Sequence, residues 1–287
     1  MNRLLVATDL SSRSDRAVQR AALLAKRFGC EWTLVHVIDE DQPQRLIERN
    51  RFDAQELLES RVEGLALIAG SRPRVMVEVG AVEQTINEIA VGTGAELLVL
   101  GMPRKGLLRE IFVGTSAERI IRSARLPVLR VASGGEDDYR SVLLAADMSA
   151  NCANAIQTSR ALGLLDGCTL HAVHVFEAFA KGEILMSAAE ASIVSAATRE
   201  ARAQTEAELQ VFLAEQKLEL PAGQLHVEEG FSVVELKRAI EQLDPDLVVL
   251  GTHGRGGLKK MLLGSVAETL LGEVERDILC VPMPARG

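Results

Sequence analysis

The sequence predicts an α/β protein built as two tandem five-stranded parallel-sheet sandwich domains of Rossmann-like type. Three observations carry this. First, the chain repeats itself: Leu4–Asp9 returns as Leu143–Asp147 when the two aspartates are aligned, and Val35-His36-Val37 returns as Val173-His174-Val175, both at a shift of 138. Val77–Gly80 returns at Val227–Gly230, and Leu97–Gly101 at Leu247–Gly251, now at a shift of 150. Second, short aliphatic runs alternate within each copy with longer segments of helical period, the pattern of βαβ units with helices on both faces of a parallel sheet. Third, 47% of the residues are hydrophobic but only 3% aromatic, which suits an interior packed with Val, Leu and Ala.

Taken in order, the first copy places strands near residues 4–8, 32–37, 74–79, 96–100 and 127–131. Between the first two, Ala17, Ala21, Leu24 and Ala25 share a helical face, and Gly29 supplies a C-terminal stop. Gly, Asp and Glu cluster around Ser133 to Asp138, the natural linker, so the domains are expected at 1–138 and 139–287. The second copy places strands near 142–146, 169–175, 224–228, 246–250 and 278–281. The change of shift puts about 12 extra residues between its second and third strands. A strongly helical stretch from about Ala188 to Lys217 lies in the same interval, with Val194, Ala197, Ala201, Leu209 and Phe212 near one face.

Composition excludes several classes. A net charge of -8 argues against general nucleic-acid binding, since a phosphate backbone rewards clustered Lys and Arg. The short first apolar run fits no signal peptide, no uncharged apolar stretch approaches membrane-spanning length, and a cytoplasmic protein with no membrane insertion is expected. Cys30, Cys152, Cys168 and Cys280 form no C-x-x-C pair and read as small buried hydrophobes in a reducing compartment.

The most informative segment is Gly251 to Lys260, G-T-H-G-R-G-G-L-K-K, between the apolar run Leu247–Leu250 and the pair Gly264-Ser265. A strand, a glycine-rich loop and a helix start in this order form a phosphate cradle: glycines admit close approach of backbone N–H groups, and the helix's first turn adds free donors at a positive dipole end. Asp9 and Asp147 each follow strand one directly, and the glycine loops follow strand four. In open sheets, ligands bind beyond the carboxyl ends of the strands where the strand order reverses, so one pocket per domain is expected if strands one and four are neighbours.

These residues resemble a tandem member of the universal stress protein family, across nearly all of both repeats. Gly251-x2-Gly254-x9-Gly264-Ser265 matches the G-x2-G-x9-G-[ST] pattern of that family's ATP-binding branch at every position. The resemblance implies that adenine lies against the backbone at Val175 with Ala145 nearby, and that the ribose hydroxyls meet Asp147. The phosphates of ATP, with Mg2+, would then meet Gly251, Thr252, His253, Gly254, Arg255, Gly264, Ser265 and Val266. A carboxylate accepts hydrogen bonds from a ribose diol, and a helix beginning at Ser265 turns its free N–H groups toward phosphate. Arg255, Lys259 and Lys260 are local cations. The resemblance also implies edge pairing of the fifth strands, Val128 to Val131 with Ile278 to Val281, as a pseudo-dimer; a further homodimer is compatible with it.

The first repeat departs from the pattern. Gly101, Gly114 and Thr115 are kept, but Arg104 takes the second glycine position and Pro103 removes a backbone donor. This half is expected to bind nucleotide weakly or not at all; the opposing idea is that Arg104, Lys105 and Arg109 replace backbone donors with charged ones. His36 and His174 read as hydrogen-bonded core residues, and His171 and His174 point to opposite faces of a strand, so they cannot jointly chelate a metal. His253 either reaches the terminal phosphate or is exposed. No G-x-x-x-x-G-K-[ST], nucleophile elbow or H-E-x-x-H occurs, so no catalytic residue and no metal site is assigned. A nucleotide-binding regulatory protein with an unknown protein partner is the favoured reading, with slow ATP hydrolysis and a nucleotide-independent interaction scaffold as alternatives.

Overall fold

The fold is that of a computed structural model, which describes residues 1–102, 116–132, 137–176, 188–252 and 263–283, with 188–197 as backbone only. The first half contains β1 (Arg3–Ala7), α1 (Ser12–Phe28), β2 (Glu31–Ile38), α2 (Gln44–Ala69), β3 (Arg74–Val79), α3 (Val82–Gly92), β4 (Leu97–Gly101), α4 (Ser116–Ser123) and β5 (Val128–Val131). The second repeats this as β6 (Ser141–Ala145), α5 (Ala150–Ala161), β7 (Thr169–Phe176), α6 (Ala188–Glu215), β8 (Leu225–Glu229), α7 (Ser232–Leu243), β9 (Leu247–Gly251), α8 (Ser265–Glu273) and β10 (Asp277–Val281), with a short 3-10 turn at Ala222–Gln224. The strands lie within two residues of their expected bounds. The second copy's added length falls on both sides of α6, which at 28 residues hardly exceeds α2 at 26.

Among the described residues all ten strands form one sheet, in the order β3-β2-β1-β4-β5-β10-β9-β6-β7-β8. Within each half pairing is parallel, and strands one and four are neighbours (β1 with β4, β6 with β9), so strand order reverses there. The halves meet through antiparallel β5 and β10, with Leu279 opposite Leu129, Ile278 opposite Arg130 and Cys280 opposite Val128. Because Leu129 and Leu279 are equivalent residues of the repeat, a local twofold axis passes between them.

Alternation along the strands sends side chains to two cores. Leu4, Val6, Leu34, Val99, Val142, Leu144 and Val249 face α1, α2, α5 and α6; Leu5, Val35, Leu98, Leu143, Val173 and Val248 face α3, α4, α7 and α8. In α6, Leu209 and Leu213 are fully buried and Phe212 packs against the first core, so the C-terminal part of the expected apolar stripe is interior packing; Val194 and Ala197 lie outside the residues described with side chains.

Polar groups also bridge the halves. The fully buried Asp277 accepts from the Ala132 N–H (2.9 Å) and the Tyr139 hydroxyl (2.7 Å), and its carboxylate lies 3.3 Å from Arg20 Nε. The Arg20 guanidinium stacks 4.4 Å over the Tyr139 ring and donates to the Asp137 carbonyl. Burial, then the neighbouring Asp277 charge, pushes the Tyr139 hydroxyl well above its ordinary range, so it stays a donor. On the other face, buried Arg130 donates to the Val274 and Arg276 carbonyls just beyond α8.

Candidate functional site

The carboxyl ends of β1, β2 and β4, and of β6, β7 and β9, carry the same local construction. In the first half the Asp9 carboxylate accepts from the Ser11 N–H (3.0 Å) and the Ser11 hydroxyl, and Ser11 caps α1. In the second, Asp147 accepts from the Ser149 N–H (3.0 Å) and Ser149 caps α5. The residue between aspartate and cap is left-handed in both halves, Leu10 at φ 60° and Met148 at φ 56°. A non-glycine residue there is strained by about 1–2 kcal/mol, and the turn that requires it is what brings the carboxylate to the end of the sheet.

A histidine holds each turn from the neighbouring strand. His36 Nδ1 donates to the Thr8 carbonyl (2.8 Å) and His174 Nδ1 to the Ala146 carbonyl (2.5 Å). Both therefore fix the residue just before the aspartate; His174 is buried, as a hydrogen-bonded core residue, whereas His36 is only half-buried. His171 points to the opposite face, where its Nδ1 lies 3.1 Å from Nε2 of His226 on β8. Burial, then the neighbouring His171, lowers the His226 pKa.

Around Asp9, burial pushes the carboxyl upward, but hydrogen bonds from Ser11 and Ser14 and the nearby Arg13 outweigh it and hold the group below its ordinary value. Asp9 lines a cavity of about 510 Å3 together with Ala7, His36, Val37, Ile86 and Met102. By the repeat, this lining maps onto the second half: Ala7, Asp9 and Val37 correspond to Ala145, Asp147 and Val175, Gly101 and Met102 to Gly251 and Thr252, and Ser116 to Val266. Six of the residues expected to hold the ligand are thus the counterparts of residues that enclose one cavity in the first half.

The structure also assigns work to residues that the sequence tied to phosphate. A Cβ at Gly251 would fall 2.4 Å from Asn151 Nδ2 and 2.9 Å from its Cγ, because the first turn of α5 packs against the end of β9. Gly101 is crowded in the same way, by the backbone of Arg13 and Ser14. Thr252, buried, donates its N–H to the Val281 carbonyl (3.0 Å) and accepts from the Gly264 N–H (2.8 Å), tying β9 to β10 and to the start of α8. Gly264 is the N-cap of α8, so the helix opens at Ser265, with Ser265 exposed and Val266 half-buried. The first-turn N–H groups there have no intrahelical partner. His253, Gly254 and Arg255, with Lys259 and Lys260, lie outside the described residues, as do Arg104, Lys105, Arg109, Gly114 and Thr115 in the first half.

Sequence reasoning missed Asn151, Ser11, Ser149 and the left-handed Leu10 and Met148. The D-x-S spacing shared by Asp9-Leu10-Ser11 and Asp147-Met148-Ser149 was the available signal. All four cysteines are free, three of them buried; burial pushes Cys152 and Cys280 up to about 12. Among the described residues no helix is long and apolar enough to cross a membrane, and no group of three or more His, Cys, Asp or Glu side chains converges as a metal site.

Comparison with known proteins places this architecture. The model of the Universal stress protein family matches residues 1–132 and again 138–282. A universal stress protein of Mycolicibacterium smegmatis is 25% identical over 295 residues, covering 97% of this chain and 96% of that one. One from Methanocaldococcus jannaschii is 30% identical over 138 residues, covering 45% of this chain and 81% of its own length. Among solved structures, a universal stress protein from Archaeoglobus fulgidus superimposes with a TM-score of 0.71 at 19% identity, covering 98% of both chains.

Proposed function

The chain belongs to the universal stress protein family, and from that premise we propose that it is a nucleotide-dependent regulator of the stress response whose second half binds ATP. The observation that carries this reading is the first-half cavity lined by Ala7, Asp9, Val37 and the opening residue of α4, whose counterparts by the repeat are Ala145, Asp147, Val175 and the opening turn of α8. The residues fit the ligand. Asp147 is a carboxylate acceptor for a ribose diol, the end of β7 offers backbone edges to an adenine ring, and the N–H groups at Ser265 and Val266 face a phosphate with a favourable dipole. The crowding at Gly251 and the engaged backbone of Thr252 give these two residues a packing role as well, fixing the distance between β9, α5 and α8. When bound, Mg2+ would screen the phosphate charge; the chain's own contribution is to orient the ribose and to donate from the start of α8.

The regulatory step is that ligand occupancy beside the start of α8 changes the surface offered there to a protein partner. The scaffold alternative rested on the apolar stripe of α6, and the burial of Leu209 and Leu213 in the core withdraws that support from its C-terminal part.

The test is to denature freshly purified protein and quantify the released nucleotide per mole of chain, alongside the Gly264→Val variant. About one ATP per chain, lost in the variant, supports the reading. No released nucleotide, together with no binding of added Mg·ATP, overturns it.

A further inference from the structure

Among the described residues the sheet ends in two open edges, β3 and β8. β3 runs beside β2 from Arg74 to Val79 in unbroken register, without a bulge or a proline, and no described strand pairs its outer edge. Its phase is fixed by the Gly80 N–H, which donates to the Ile38 carbonyl (3.0 Å). By alternation Met76 and Glu78 also turn their main-chain groups toward β2, while Val75, Val77 and Val79 turn theirs outward. Such a row of unpaired N–H and C=O groups is a template for another strand.

The side chains of β3 divide between the two faces. Val75 and Val77 pack on the first core, and Arg74, Met76 and Glu78 form a row on the other face, with Arg74 exposed and Met76 and Glu78 half-buried. Neither Arg74 nor Glu78 has a hydrogen-bond or ion-pair partner among the described residues, and a separation of about 13 Å along the strand keeps them from each other. They stand symmetrically about Met76 with opposite signs. An antiparallel copy must match outward-facing residues with outward-facing residues, so a twofold axis can pass through Val75, Met76 or Val77. An axis at Val75 sets Arg74 against Met76, and one at Val77 sets Met76 against Glu78; the axis at Met76 sets Arg74 against Glu78 on both sides. In that register Val75 and Val77 exchange main-chain bonds with Val77 and Val75 of a second copy, and Pro73, which has no N–H, closes the ladder before Arg74. β8 offers no such match: a register centred on Val227 would set Glu228 against His226, whose pKa burial lowers, and Glu228 already lies 3.5 Å from Arg202 of α6.

We propose that β3 is a dimerisation edge, at which a second copy of this chain adds its own β3 antiparallel about a twofold axis at Met76. Arg74–Glu78 pairs flank a Met76–Met76 contact on both sides, main-chain hydrogen bonds join the valines, and the sheet runs on through both molecules. This is the same strand-to-strand joining that β5 and β10 make within the chain. Edge charges of a single sign would repel a second copy, whereas opposite signs placed symmetrically select it and set its register. Because the axis uses up both β3 edges, assembly stops at the dimer.

The experiment is sedimentation velocity of the full chain without nucleotide, at concentrations up to about 100 µM. The natural chain is expected to pass from monomer to dimer as concentration rises, with the midpoint moving upward in high salt. Glu78→Arg sets Arg against Arg on both sides of the axis, and Arg74→Glu sets Glu against Glu. Each variant alone is expected to associate at least about tenfold more weakly than the natural chain. Mixed together, the two variants bring Arg opposite Glu on both sides again and are expected to form a heterodimer of natural affinity, a recovery that misfolded variants could not give. A monomer at every concentration, a dimer indifferent to both reversals, or failure of the mixed variants to associate would each overturn the proposal.

Discussion

Gly251→Ala tests whether the glycine after β9 is set by packing against α5. The added Cβ would sit 2.4 Å from Asn151 Nδ2, 2.9 Å from Cγ and 3.3 Å from the Asn151 carbonyl oxygen. Ordinary contact begins near 3.4 Å, so the amide must retreat by about 1 Å. It is poorly placed to do so, because Asn151 is only 3% exposed. Overpacking of this kind costs about 1–3 kcal/mol. Truncating the obstacle gives the control: with Asn151→Ala, the nearest remaining atom of residue 151 is the carbonyl oxygen at 3.3 Å, a contact that a shift of a tenth of an ångström relieves. A double-mutant cycle in urea, followed by circular dichroism, should therefore return a coupling of at least ~1 kcal/mol, with Gly251→Ala nearly neutral in the Asn151→Ala background. If Gly251→Ala costs as much in that background as in the natural chain, the packing explanation is refuted.

Four further outcomes are expected. Asp277→Ala removes the shared acceptor of the Ala132 N–H, the Tyr139 hydroxyl and Arg20 and leaves a buried guanidinium without its carboxylate, so it should cost about 3–5 kcal/mol in urea denaturation; a loss under about 1 kcal/mol would contradict the bridging role. Asp147→Ala should weaken ATP by about 1.5–3 kcal/mol in calorimetry, and unaltered affinity would remove Asp147 from the site. The Asp9 carboxyl lies lower when folded than unfolded, so its stabilisation is full above the ordinary carboxylate range and lost as pH falls through the native value. Asp9→Asn should accordingly lower the unfolding midpoint at pH 7 and converge with the natural chain in acid, whereas a constant offset across pH would argue against the assignment. With Cys152 and Cys280 both near 12 and Cys30 buried, a thiol reagent at pH 8 should modify Cys168 first and the other three only on unfolding; rapid native labelling of more than one thiol would contradict the burial.

The strands were legible because each is a short aliphatic run bounded by turn residues, and the repeat supplied every one of them twice. The placing of Asp9 and Asp147 next to strand four stayed conditional on strands one and four being neighbours, and the pairing of β1 with β4 and of β6 with β9 supplies that condition. What escaped the sequence depends on residues far apart along the chain. Nothing near Gly251 announces that Asn151, a hundred residues earlier, occupies its Cβ position. Asp277 reads as an ordinary polar residue before a strand until β5, the linker and α1 close around it.

The antiparallel junction of β5 and β10 has one more consequence. Two separate chains meeting across such a strand pair would come apart on dilution, whereas the short connection from β5 to β6 holds the halves at an effective concentration in the millimolar range. The pairing is then independent of how much protein the cell makes. Covalent joining also frees the halves from identity. In a symmetric pair of identical chains, a departure such as Arg104 at the second glycine position of the motif would appear in both copies at once; here the sequence carries it in one half and keeps Gly254 in the other.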